Sequence, residues 1–255
     1  MNDQKILLFH VDAFTSKPFS GNPAAVCLLM ETRDAAWMQS MAAEINLSET
    51  AFVTRLAQGF GLRWFTPTVE VDLCGHATLA AAHVLWARGW SQVGQHITFH
   101  TRSGLLVAQQ QGAKIELDFP LAPAEPVEAP EGLWQALGVS SGKVFFNQAD
   151  YLILLEDEAA VVRLQPDFRA MGEINARGVI VTAPSGSSKY DFVSRFFAPA
   201  CGIDEDPVTG SAHCTLAPFW FERLGKTEML GYQASSRGGE VTVKLRRDRV
   251  LLSGE

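Results

Sequence analysis

Residues 62–86 read LRWFTPTVEVDLCGHATLAAAHVLW, and residues 194–220 read SRFFAPACGIDEDPVTGSAHCTLAPFW. Each stretch runs arginine, two aromatics, a small residue, proline, an acidic loop, then glycine and an alanine-rich apolar run. Arg63 matches Arg195, Phe65 matches Phe197 and Pro67 matches Pro199; Gly75 matches Gly210 once three extra residues are allowed in the second loop. Similarity within one chain at this level marks a repeated supersecondary unit.

One copy reads as strand, loop, helix. Leu62 to Thr66 is aromatic and ends at Pro67, which cannot donate to a strand ladder. Ala77 to Trp86 is rich in alanine and leucine, the strongest helix formers, and starts just after Gly75. A glycine there lets a ligand approach the backbone, and the first N–H groups of a helix lack internal partners. Such an end carries about half a positive charge and accepts carboxylate or phosphate. Two copies supply two such ends, which would serve one anionic small molecule if the halves face each other. The alternative is a duplication whose halves share no site.

At 255 residues the chain fits one large domain or two lobes, and the repeat favours two, at 1–120 and 121–255. With 47% hydrophobic and 19% charged residues it can build a sizeable core. A net charge of −7 argues against a nucleic-acid groove or an anionic membrane surface. The first residues read MNDQKILLFHVDAF, whose apolar run of Ile6 to Phe9 is broken by His10 and Asp12 and is too short for a signal peptide. No stretch approaches the roughly 20 apolar residues of a membrane span. Cys27, Cys74, Cys201 and Cys214 lack CxxC spacing and read as reduced thiols, so a cytoplasmic protein is expected.

Ile6 to Phe14 and Ala24 to Met30 read as strands joined by a turn at Ser20-Gly21-Asn22-Pro23. Asp34 caps a helix with apolar positions Trp37, Met38, Met41, Ala42 and Ile45, ending near Asn46. Strands are expected at Thr50–Thr54, Ile97–Thr101, Leu105–Gln109 and Ile115–Phe119. Pro120 to Pro130 reads as an extended linker. The second half then gives helices near Leu133–Leu137 and Pro166–Met171, with strands at Tyr151–Leu155, Val179–Thr182, Phe192–Phe197, Glu240–Leu245 and Val250–Leu252. Each half has one long alanine-rich helix, and a sheet curved around it is the natural package.

Glu49 sits at a helix-to-strand junction beside Leu47, Ala51 and Phe52, where burial would raise its pKa toward the range useful for proton transfer. A solvated strand-end glutamate is the plain alternative. Asp204-Glu205-Asp206 precedes the second repeat helix. Carboxylates there are ordinary caps, yet three exceed what capping needs, and Asp206, nearest Gly210, is the one placed to handle a proton or an ammonium group. His76 and His213 lie in the first turns of the repeat helices, where an imidazole tends to stay neutral. His76 is the functional candidate and His213 the packed one. His76 and His83 are seven residues apart with no HxxxH or cysteine pair, so no zinc site is expected. Cys74 directly precedes a helix-starting glycine, which should lower its pKa. Two such thiols facing each other would make a cofactor-independent racemase. The residue matching Cys74 is Thr209, however, and Cys214 lies a helical turn further on, so that pair is absent.

These features together resemble the PhzF-like isomerases, the phenazine-biosynthesis-like family, within the diaminopimelate epimerase-like folds. The shared motifs are Val11-Asp12-Ala13-Phe14 with Phe19-Ser20-Gly21-Asn22-Pro23-Ala24-Ala25-Val26, then Asn46-Leu47-Ser48-Glu49, Phe65-Thr66-Pro67, Gly75-His76, and Asp206 with Thr209-Gly210-Ser211-Ala212. The resemblance implies an α+β fold of two pseudo-symmetric lobes, each a curved, mostly antiparallel sheet wrapped around a central helix. It also implies a site in the cleft between the lobes, homodimers, and chemistry without metal or other cofactor. By motif, Glu49 is the general acid/base that moves a proton between two carbons of a small carboxylic acid. Gly75 and His76 meet the substrate, the former through its N–H, and Asp206, Gly210 and Ser211 stand opposite. Cys74 is similar to the epimerase branch and to one subgroup of PhzF-like proteins. Relatives usually continue past Leu252-Ser253-Gly254-Glu255 for a short final strand, so either the chain is short or its end is missing, and a frayed C-terminal strand would slightly weaken the second lobe. An epimerase would need a second acid, Asp206 or Cys74, and a non-catalytic binding protein would keep the cleft without turnover.

Overall fold

The computed structural model describes residues 6–255, so the first five residues of the amino-terminal reading lie outside it. The chain separates into two compact units, one running to Asp118 and taking back Ser253–Glu255, the other Phe119–Leu252. The first holds strands β1 (Leu7–Ala13), β2 (Asn22–Leu29), β3 (Glu49–Arg55), β4 (Phe60–Phe65), β5 (Glu70–Val71), β6 (Ile97–Thr101), β7 (Gly104–Gln111) and β8 (Lys114–Pro120), with helices α1 (Ala35–Ile45) and α2 (Gly75–Ala87). The second holds β9 (Glu125–Pro126), β10 (Lys143–Phe146), β11 (Asp150–Leu154), β12 (Gly178–Pro184), β13 (Phe192–Phe197), β14 (Glu228–Gln233), β15 (Gly239–Arg246) and β16 (Arg249–Gly254). Its helices are α3 (Leu133–Leu137), α4 (Glu158–Val162), α5 (Phe168–Met171) and α6 (Gly210–Leu224). Two strands cross the boundary: Phe119 and Pro120 of β8 belong to the second unit, and Ser253 and Gly254 of β16 to the first.

The duplication read from the two motifs extends to the whole pairing scheme. In the first unit β1·β2 is antiparallel, β2·β3 parallel, β3·β4 antiparallel, β4·β6 parallel and β6·β7 antiparallel. In the second, β10·β11, β11·β12, β12·β13, β13·β14 and β14·β15 repeat that sequence of senses. The expected α+β architecture, antiparallel pairs in the majority around a long helix, is what the chain forms in each unit.

Local chemistry explains the element ends. Asp34 caps α1 by accepting from the Trp37 N–H at 2.8 Å, and Asn46 closes it in the left-handed region at φ 54°, a conformation asparagine tolerates better than most residues. Helix α2 is apolar on nearly all sides, and Leu79, Leu85 and Trp86 are buried. Each such side chain contributes roughly 1.5–3 kcal/mol on leaving water, so α2 is held by its sheet rather than by its own propensity.

Several expectations change. Strand β2 begins at Asn22, and Pro23 lies inside it opposite Asp12, so the turn falls earlier, where Phe14, Phe19 and Gly21 have positive φ. The proline-rich linker carries a two-residue strand, β9, paired to β10. Strands β10 and β14 and helix α4 were not foreseen, the first and last because four or five residues carry little periodicity. Strand β14 hides behind Gly231, whose Cβ would stand 2.5 Å from the Phe192 ring. The glycine is there for close packing, although in sequence it signals a break. The last strand is not frayed: β16 is buried along most of its length, and the Glu255 carbonyl accepts from the Thr15 N–H at 3.0 Å in the first unit.

Candidate active site

In the first unit, β3 starts at Glu49 and α2 starts at Gly75, and the two starts bring Glu49 and His76 together. Glu49 Oε2 lies 3.2 Å from His76 Nε2, with the side chains 13% and 3% exposed. The two atoms are not aligned as a hydrogen bond, and both are buried side-chain atoms without a hydrogen-bond partner. Buried polar atoms without a partner are few in folded proteins and call for an explanation. On the other edge of the ring, His76 Nδ1 meets the Asn22 amide nitrogen at 3.0 Å and Cys74 Sγ at 3.6 Å. Cys74 caps α2 through its backbone, its carbonyl accepting from the Thr78 hydroxyl at 2.5 Å.

Two charge expectations are overturned. The Cys74 thiol is not acidified: burial, reinforced by the Glu49 carboxylate, pushes it up to about 11. Its place at the helix start is outweighed because the sulfur is fully enclosed, and desolvation of a thiolate costs more than a helix end returns. His76 is not held at low pKa either. Burial disfavours its charged form, but a Cys74 thiolate and the Glu49 carboxylate outweigh that and raise it well above the usual imidazole value; while Cys74 remains a thiol, as it does through neutral pH, the larger of those two pulls is absent.

Glu49, Cys74 and His76 bring three potential metal-ligating atoms within 4.8 Å of one another. Within that group Cys74 Sγ is nearest Nδ1 and Glu49 Oε2 nearest Nε2 of the one imidazole ring.

In the second unit, Asp206, Gly210 and Ser211 gather at the start of α6. Asp206 is buried and accepts from the Thr209 hydroxyl at 2.6 Å. Gln233, wholly buried on β14, ties this loop down: its amide nitrogen donates to the Asp206 carbonyl at 2.7 Å and its oxygen accepts from the Thr209 N–H at 2.8 Å. Sequence reasoning missed Gln233 because it missed the strand that carries it. Glu205 is not surplus acid. Arg195 holds it with two hydrogen bonds at 2.7 and 2.9 Å, as Arg63 holds Glu70 at 2.7 and 2.8 Å. The arginines also lie over matching rings, Arg195 on Phe197 and Arg63 on Phe65. The three-residue offset between Glu70 and Glu205 is the same one that aligns Gly75 with Gly210, a signal present in the sequence.

His213 is fully buried, as expected of a packed residue. Its Nδ1 donates to the Thr209 carbonyl at 2.8 Å, and Nε2 has no hydrogen-bond partner. Burial lowers its pKa from 6.5 to about 4. A depressed folded-state value means that stability is fully present above pH 6.5 and is lost as pH falls from there through about 4. We expect chemical denaturation to show a loss of up to about 3 kcal/mol across that window, and His213→Asn, which keeps a donor for Thr209, to remove it.

The register locates the repeat partner of Glu49. Thr50 pairs with Phe65, and Val179 pairs with Phe197. Since Phe65 matches Phe197, Glu49 corresponds to Gly178, where an added Cβ would lie 2.4 Å from the Phe196 ring and 2.9 Å from the Phe197 carbonyl. The second copy has no acid at this position and no room for one.

Comparison with known proteins agrees with these motifs. A family model described as Phenazine biosynthesis-like protein (PhzC-PhzF) matches residues 11–255. An uncharacterized isomerase of Halalkalibacterium halodurans is 52% identical, over 97% of this chain and 94% of its own. An uncharacterized isomerase of Pseudomonas aeruginosa is 51% identical, over 97% and 94%. The crystal structure of a phenazine biosynthesis protein of the PhzF family from Enterococcus faecalis superposes with a TM-score of 0.92 at 42% identity, covering 98% of this chain and 95% of that one.

Proposed function

The chain belongs to the phenazine biosynthesis-like protein family, and from that premise we propose that it is an isomerase that moves a proton between two carbons of a small carboxylic acid. Glu49 is the general acid/base and works without a metal or nucleotide cofactor. His76 donates toward it or toward the substrate, and the N–H of Gly75 at the start of α2 receives the substrate carboxylate. Asp206, Gly210 and Ser211 are assigned to the same substrate as its second set of contacts.

The observation that carries this reading is the Glu49–His76 pair, 3.2 Å apart and buried, with neither facing atom hydrogen-bonded. Catalytic hydrogen bonds are often long or poorly aligned before substrate arrives. An epimerase working through two opposed bases is the weaker alternative, for two reasons. Position 178 is glycine where the repeat would place a second carboxylate. Burial pushes the Cys74 thiol up to about 11, and the residue that matches it in the repeat is Thr209.

We further propose that the protein is a cytoplasmic homodimer with no nucleic-acid or membrane partner. In support, the net charge is −7, Cys27, Cys74, Cys201 and Cys214 form no disulfide, and among the described residues no helix is long and apolar enough to cross a membrane. The test of the activity is a screen of cyclic and unsaturated carboxylic acids in heavy water. An accepted acid takes up carbon-bound deuterium only in the presence of the protein. Uptake that survives Glu49→Gln unchanged rules the assignment out.

A further inference from the structure

We propose that Asn22 is a positioning residue that holds His76 as the neutral tautomer with its proton on Nε2, the ring nitrogen nearer Glu49. Asn22 Nδ2 carries only hydrogens, and it stands 3.0 Å from His76 Nδ1, so Nδ1 must accept. A neutral imidazole that accepts at Nδ1 carries its hydrogen on Nε2. That atom lies 3.2 Å from Glu49 Oε2. Cys74, protonated at neutral pH, is a second and weaker donor on the Nδ1 side at 3.6 Å.

The groups facing His76 therefore pull in opposite directions. From β3 the Glu49 carboxylate favours a doubly protonated ring. From β2 the Asn22 amide opposes it, because an imidazolium would set Nδ1–H against N–H. Cys74, from the cap of α2, sides with Asn22 while it remains a thiol. Asn22 is fully buried at the first position of β2, and its Oδ1 is a buried atom without a hydrogen-bond partner. Turning it over would place Oδ1 against Nδ1 and stabilise the imidazolium instead.

The consequence concerns the base. A neutral Nε2–H donor leaves Glu49 anionic and able to take a proton from carbon, whereas an imidazolium beside it would form a full ion pair and weaken it as a base. This consequence rests on the isomerase reading, but the tautomer does not, and it can be measured without a substrate.

The experiment is nitrogen NMR of the full-length protein labelled at the histidine ring nitrogens, with His76→Gln identifying the His76 signals. At pH 7 the wild type is expected to show Nε2 protonated and Nδ1 bare. Asn22→Asp replaces the donor with an anionic acceptor, and both nitrogens should then be protonated, with the midpoint of His76 titration moving up by about 1–3 pH units. A wild-type ring protonated at both nitrogens at pH 7, or on Nδ1 alone, overturns the proposal, as does an unchanged ring in Asn22→Asp. If that variant does not fold, the wild-type spectrum alone decides. Failure here leaves the assignment of Glu49 standing, because no turnover is measured.

Discussion

Glu49→Gln is expected to lower kcat on any accepted acid by about 10²- to 10⁴-fold, the usual contribution of a positioned general acid/base, with no loss of folded protein. Glutamine keeps the size of the side chain and one oxygen facing His76 but cannot take or return a proton. The substitution removes a carboxylate that is only partly hydrogen-bonded in the free protein, so thermal stability should hold or rise slightly. Cys74→Ser provides the contrast. Its thiol is protonated throughout the physiological range, so kcat should stay within a few-fold of the wild type. Matching losses in kcat and stability for Glu49→Gln would mean that the residue is structural.

Arg195→Met should be the most damaging single change to the fold away from the site. Arg195 is 9% exposed, pairs with Glu205 through two hydrogen bonds and also donates to the carbonyls of Leu164 and Val161 at 2.8 and 3.3 Å. Removing it strands a largely enclosed carboxylate and two backbone acceptors, a loss of about 3 kcal/mol. Its repeat counterpart sets the scale. Arg63 has a side chain 31% exposed, and its partner Glu70 keeps Arg102 at 3.0 Å. For Arg63→Met we expect about 1 kcal/mol, as solvent and the remaining arginine offset the loss. Urea denaturation of the two variants should separate them by about 2 kcal/mol, and equal losses would show that burial is not what distinguishes the two pairs.

Much of this architecture was legible because the duplication is written into short-range spacing. The arginine, paired aromatics, proline and helix-starting glycine recur in order, and each fixes a local element by its own chemistry. The Asp34 cap and Asn46 exit of α1 were readable for the same reason. Long-range features were not. Asn22 looks like a turn residue next to proline, and only the fold carries it to His76, 54 positions away. Gln233 sits on a strand that Gly231 disguises. The correspondence of Glu49 with Gly178 is hidden by unequal hairpins, since the loop at 185–191 is three residues longer than the one at 56–59. The charge states of Cys74 and His76 went astray because a helix end is visible in sequence and the depth of burial is not.

The central claim is that one carboxylate both removes and returns the migrating hydrogen. The most direct test uses an accepted substrate carrying deuterium at the position that loses it, followed through a single turnover in ordinary water. A single base holding the label beside the ring of His76 predicts that a fraction of the deuterium reappears at the receiving carbon, on the same face of the substrate, the rest being lost to solvent. Complete loss of label with the new hydrogen on the opposite face, together with inactivity of Cys74→Ser, would contradict it and indicate two bases.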